Sequence, residues 1–139
     1  MSGFPDDVHP AYARTHFEVE GAPERWPERF AIITAYATTG QTWTPEENEE
    51  ADCRLEAELR TRGLRPFRVT GYDPDTGHAE PGWGVALDHD AACELGRGFR
   101  QDAIYYVEGD RLLVSRCGQG TKRYALGSFR ERVCARTAG

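Results

Sequence analysis

Lysine is almost missing from this chain: of 17 basic residues, Lys122 is the single lysine and the other 16 are arginine. The bias reads as a coding preference rather than as phosphate recognition, since 23 acidic residues leave a net charge of −6 that opposes binding to nucleic acid. Long apolar runs are missing too. None approaches the ~20 residues that a membrane-spanning helix requires. The first residues, MSGFPDDVHP, have neither the basic start nor the apolar stretch of a secretory signal. No membrane association is expected, and the cytoplasm is the expected compartment. Paired cysteine motifs are also lacking, because Cys53, Cys93, Cys117 and Cys134 form no CxxC and no compact zinc pattern. In a reducing compartment each is expected to act as a small buried hydrophobe, and we read no pairing between any of the four histidines and any cysteine. No P-loop, dinucleotide fingerprint or Ser-His-Asp arrangement is legible, so neither a metal nor a cofactor is expected.

What is present fits a single domain over residues 1–139, with a surface arm (1–13), a core (14–116) and a basic C-terminal extension (117–139). Residues 111–139 carry seven basic residues against one acid, net +6, which leaves 10 basic and 22 acidic residues, net −12, for residues 1–110. That tail is expected to fold back on its own acidic body. Alternating or continuous apolar stretches predict strands over 15–20, 30–36, 67–72, 83–87, 103–108, 111–116 and 122–126. Residues 30–36 should be buried on both faces.

Thr44, Pro45 and Glu47 form a capping box with proline at the first helical position, and Gly63 supplies the stop, so a helix is predicted between them. Asp88 should cap a second, short helix with Ala92, Leu95 and Phe99 inward. Asp73-Pro-Asp-Thr-Gly-His78 superficially suggests a calcium loop, but its glycine falls one place early and Gly84 stands where the closing glutamate belongs; it reads as a hairpin turn. The order of elements implies an α+β fold. A largely antiparallel sheet should carry two main helices on one face, as a ferredoxin-like core with extra strands.

Five polar residues fall at element ends or in adjacent loops: Thr34, Gln41, Asn48, Glu80 and Gln101. Asn48 is the most informative, because one helical step back from the stripe Ala51, Leu55, Leu59 places its amide on the core-facing side of the first turn. Such an amide either caps loop carbonyls or lines a pocket. Glu80 precedes a strand whose Gly84 and Ala86 leave one face smooth, a surface that admits a helix or a ligand.

The segments AYARTHFEV, FAIITAY before the acidic EEN helix, EPGWGV entering a strand, and FRQDAIYYV after the second helix together resemble the uncharacterised bacterial family called domain of unknown function 3293. The resemblance spans roughly residues 11–116 and implies no particular activity. It does imply characteristic positions, here Thr34 and Ala35, Asn48, Glu80 and Pro81, Phe99 and Gln101. The chain departs from that pattern at Ala37 and Thr38, at Gly82 where a serine commonly follows Glu-Pro, and at Arg100 where a glycine usually precedes the glutamine.

The leading expectation is a binding module for a polar small ligand, neutral or partly cationic, at the Thr34, Gln41, Asn48, Glu80 and Gln101 corner. One alternative is a protein-interaction module that uses the acidic body and basic tail, as a monomer or homodimer. Another is a hydrolase or transferase with Glu80 as general acid or base.

Overall fold

The computed structural model describes residues 11–21, 23–36, 43–101, 103–117 and 123–135. Eight strands form one sheet: β1 (His16–Glu20), β2 (Arg29–Ile33), β3 (Phe67–Tyr72), β4 (Ala79–Val85), β5 (Ala103–Glu108), β6 (Arg111–Arg116), β7 (Arg123–Ser128) and β8 (Val133–Ala135). They are joined by a short helix α1 (Ala11–Arg14) and the two main helices α2 (Pro45–Thr61) and α3 (His89–Gly98). The spatial order is β7-β6-β5-β2-β4-β3-β1-β8. Every neighbouring pair is antiparallel except β1 and β8, which run parallel.

This order forces curvature. A flat eight-stranded sheet would hold its edges ~34 Å apart, at ~4.8 Å per strand. Yet β7 and β8, the two edges, are linked by residues 129–132 alone, which include a 3-10 turn, Arg130–Arg132. Five Cα steps reach at most ~19 Å, so the sheet curls until its edges approach. Arg132 clamps the gap: its guanidinium donates to the carbonyls of Ala13 and Thr15 beside β1 and to that of Leu126 on β7. The basic C-terminal segment thus supplies both edge strands. Two of its arginines meet acidic residues of the β5-β6 hairpin, Arg123 with Glu108 and Arg130 with Asp110.

Alternation along the central strands sorts two cores. Phe30, Ile32, Tyr105, Val107, Leu112 and Val114 point to one face, where they meet Phe17, Val69 and Phe129. Trp26 plugs this side, its ring within 5.5–5.6 Å of Phe30, Phe67 and Phe129. Ala31, Ile33, Ile104, Tyr106 and Leu113 point the other way into a cluster shared with Ala51, Leu55 and Leu59 of α2 and Ala92, Cys93 and Leu95 of α3. Both faces of β2 are therefore buried, as its unbroken apolar run requires.

The capping box of α2 is made in full, Thr44 Oγ1 accepting from the Glu47 amide and Glu47 accepting from the Thr44 amide. Asp88 caps α3 through the Ala91 amide. Residues 73–78 form the expected turn, with Asp73 accepting from the Asp75 amide and paired with Arg14. One strand begins earlier than its residues suggest. β4 starts at Ala79 and so contains Pro81, which has no amide to give a ladder. It is tolerated because β2 ends opposite Trp83, leaving residues 79–82 paired with β3 alone. The smooth face at Gly84 is not open either: the Phe67 ring lies across it, so close that a Cβ there would come within 2.5 Å.

Candidate functional site

β2 ends at Ile33, opposite Trp83, and the chain continues with Thr34 against Gly82 of β4. Asp52 of α2 and Arg68 of β3 are paired here, and both act on Tyr36. The path of residues 34–36 is fixed by Gln101, whose side-chain amide donates to the carbonyls of Tyr36 (2.8 Å) and Phe99 (3.2 Å). Thr34 Oγ1 reaches Gln101 Oε1 at 3.5 Å. Two of the predicted residues are thus brought together, and Gln101 spends its hydrogen bonds on holding the chain.

Gln101 is itself held by the end of α3. Its amide bonds the Gly96 carbonyl and that of Arg100 bonds Arg97, the paired bonds of a Schellman stop. The residue that must turn left-handed in this motif is Arg100, with φ 60°, the only non-glycine among the described residues at positive φ. This is the position where the family resemblance leads one to expect glycine, and the backbone shows why glycine suits it.

Asn48 and Glu80 stand on α2 and β4. Asn48 is half-buried in the first turn of α2, its amide bonded to the Thr44 carbonyl. One turn on, at the same face, stands Asp52, a residue the sequence reading passed over. It is buried and takes a two-pronged ion pair from Arg68 of β3, at 3.0 and 2.8 Å. Arg68 also donates to the Gly82 carbonyl and stacks 3.8 Å over the Trp83 ring, while Trp83 Nε1 donates to the Asp52 carbonyl. Burial opposes the Arg68 charge, but Asp52 outweighs it and holds the guanidinium protonated more firmly than usual.

Glu80, on the half of β4 that β2 does not cover, lies 3.5 Å from His78 Nε2. Burial raises its pKa above the ordinary carboxylate value, and His78 offsets that only in part. Tyr36 feels the charges of Asp52, Arg68 and Glu80 together. Its phenol is pushed up by burial first and then by Asp52, with Glu49 and Glu80 adding and Arg68 opposing. Gln41 lies outside the described residues.

Gly82 closes the corner tightly. A Cβ there would come within 2.8 Å of the Ile33 carbonyl oxygen. A serine in that position would need β2 and β4 to stand further apart than they do. A wide concavity lies elsewhere: an open groove of about 980 Å³ between α2 and α3, lined by Ala51, Leu95 and Phe99. Ala35, Arg100 and the first turns of α2 at Glu47 and Glu50 also line it, as do other long charged side chains of both signs. The groove offers width without a focused set of donors and acceptors.

A second cluster corrects the reading that no histidine pairs with a cysteine. His89 and Cys93, four residues apart, share one face of α3, with Sγ 3.6 Å from Nε2. Ser115 Oγ of β6 lies 2.7 Å from His89 Nε2 and 3.6 Å from Cys93 Sγ. The i, i+4 spacing was a usable signal once Asp88 was read as the cap; Ser115 required the fold. The cysteines also divide by environment, Cys93 and Cys117 buried as expected, Cys53 and Cys134 exposed. Among the described residues no three His, Cys, Asp or Glu side chains gather as a metal site. Nor is any described helix long and apolar enough to cross a membrane.

These features define an α+β domain whose curled sheet presents a polar corner at the end of a buried strand. The model of the family described as "Protein of unknown function (DUF3293)" matches residues 33–104, and the chain belongs to that family. No curated protein and no solved structure matches it. The matched stretch contains Thr34, Tyr36, Asn48, Asp52, Arg68, Glu80 and Gln101, and ends before Ser115 and Cys117.

Proposed function

We propose that this domain binds a small polar ligand bearing a positive charge, at the corner formed by Tyr36, Asn48 and Glu80 and held in shape by Thr34, Gln101 and the Asp52–Arg68 pair. The observation that carries the reading is the charge balance around Tyr36. Three carboxylates, Glu49, Asp52 and Glu80, act on one phenol, and the single guanidinium acting with them, Arg68, is already engaged by Asp52. An amine or guanidine entering the corner would meet the Glu80 carboxylate and the Tyr36 ring, a pairing that favours cations. Polyphosphates would be repelled. The finer fold reading goes with this proposal: the middle strands run β5-β2-β4-β3, an order that suits a ferredoxin-like core with β1, β6, β7 and β8 added.

The test is thermal-shift screening with a panel of short alkylamines and alkylguanidines. A ligand at 100 times its Kd stabilises the native state by ~2.7 kcal/mol. The reading predicts such a shift for wild type and its loss in Glu80→Gln and Tyr36→Leu; equal shifts in all three proteins would refute it. A second reading, favoured by the raised Glu80 pKa alone, makes Glu80 a general acid or base. It predicts that a hit is turned over by wild type and merely bound by Glu80→Gln, the reverse of the binding expectation.

A further inference from the structure

We propose that Cys93 and Cys117 form a redox-active pair: a peroxide admitted beside His89 oxidises the Cys93 sulfur, and Cys117 resolves the product to a disulfide that ties α3 to the end of β6. Both thiols are buried, at 1% and 0% exposure, and Cys117 hydrogen-bonds Cys93. Gly96 makes the approach possible, because a Cβ there would stand 2.6 Å from the Cys117 sulfur. Cys93 Sγ is ringed by His89 Nε2 and Ser115 Oγ at 3.6 Å each and the Arg116 carbonyl at 3.8 Å.

Arg97 fixes the other side by donating to the Cys117 carbonyl. His89 is the most exposed member of the cluster: its side chain is 14% exposed and lines a cavity of about 370 Å³ together with Arg29, Leu87, Tyr106 and Arg123. A peroxide is small enough to enter that cavity and meet the exposed edge of the His89 ring. The Cys93 thiol is lowered to about 6, chiefly by the hydrogen bond with Cys117, against burial, and further by Ser115, His89 and Arg97. It is therefore largely thiolate at neutral pH, the form that reacts.

The chemistry balances without a cofactor. The Cys93 thiolate attacks one peroxide oxygen, the O–O bond breaks, and hydroxide leaves and is protonated to water, giving a sulfenic acid. The Cys117 sulfur then attacks Cys93, the S–O bond breaks, and the hydroxyl departs with the Cys117 proton as a second water. Two electrons pass from the two thiols to the peroxide.

The experiment treats the folded full-length chain with near-stoichiometric hydrogen peroxide, alkylates it with and without prior reduction, and maps the peptides by mass spectrometry. Exposed Cys53 and Cys134 serve as internal standards. The expected result is a Cys93–Cys117 linked peptide formed at least ten-fold faster than Cys53 or Cys134 is oxidised at pH 7. Its rate should level off above about pH 7. Cys117→Ser should stop at a Cys93 sulfenic acid that dimedone traps, and His89→Gln should slow Cys93 alone. The proposal is overturned if Cys53 and Cys134 oxidise first while Cys93 and Cys117 remain alkylatable on unfolding. It is equally overturned if His89→Gln leaves both the Cys93 rate and its pH profile unchanged.

Discussion

Replacing Asp52 by leucine strips Arg68 of its carboxylate while leaving the guanidinium beneath the protein surface. The side chain of Arg68 is 24% exposed and that of Asp52 9%, so the pair is mostly withdrawn from water. Removing one partner of a fully buried pair costs about 3–5 kcal/mol, because the remaining charge is left uncompensated. Arg68 keeps the Gly82 carbonyl and the Trp83 face, and its exposed quarter recovers some hydration. The expected loss is therefore about 2–3 kcal/mol, which in a chain of this size lowers Tm by roughly 6–12 °C. Arg68→Met alone should cost about as much, since it leaves Asp52 buried without its cation. The double variant Asp52→Leu/Arg68→Met removes both charges and should lie within about 1 kcal/mol of wild type. Urea denaturation of all four proteins at constant ionic strength closes the cycle. A coupling energy above about 1.5 kcal/mol is predicted. Additive single effects, with a coupling below about 0.5 kcal/mol, would show that the pair does not organise the α2-β3 junction.

Three other perturbations probe the surroundings of the corner. Arg100→Gly relieves a left-handed residue costing about 1 kcal/mol, less what glycine adds to unfolded-chain entropy, so Tm should rise by roughly 1–3 °C; a fall would contradict the Schellman assignment. Gly82→Ala drives a methyl against the Ile33 carbonyl and should destabilise by about 1–3 kcal/mol in urea titrations, whereas a neutral effect would mean that β2 and β4 are not in such close contact. Glu80 has a raised pKa, so the folded state holds its proton more tightly than the unfolded chain, and wild type loses stability as pH rises through that pKa. Glu80→Gln should match wild type in Tm near pH 4 and exceed it at pH 7, a modest gap because the side chain is 37% exposed; a gap that widens toward low pH would reverse the sign and the argument.

Local chemistry made much of the fold legible. The Thr44–Glu47 capping box, the Asp88 cap and the strands of the β5-β6 hairpin are all short-range patterns, and each is found in place. What escaped depended on neighbours distant in the chain. Pro81 argues against a strand unless one knows that β2 stops opposite Trp83, and β8 is three residues of an arginine-rich tail that alternation alone does not mark. Asp52 was closer to view: it stands four residues after Asn48, on the face already inferred to turn inward. It was missed because a carboxylate on a buried stripe has meaning only once Arg68 is placed across from it. The same holds for Cys93, whose histidine was visible in the spacing but whose other partners lie on β6 and just beyond it. The family match covers the corner without stating what it does, so the chemistry of Tyr36 and Glu80 carries the functional reading.

That reading is tested most directly by NMR titration of isotopically labelled wild-type protein with the alkylamine and alkylguanidine panel. It predicts saturable shifts confined to the amides of Thr34, Ala35, Tyr36, Asn48 and Glu80 and to the Gln101 side-chain amide, lost in Glu80→Gln. No saturable shift from any member of the panel, or shifts centred on the groove between α2 and α3, would contradict it.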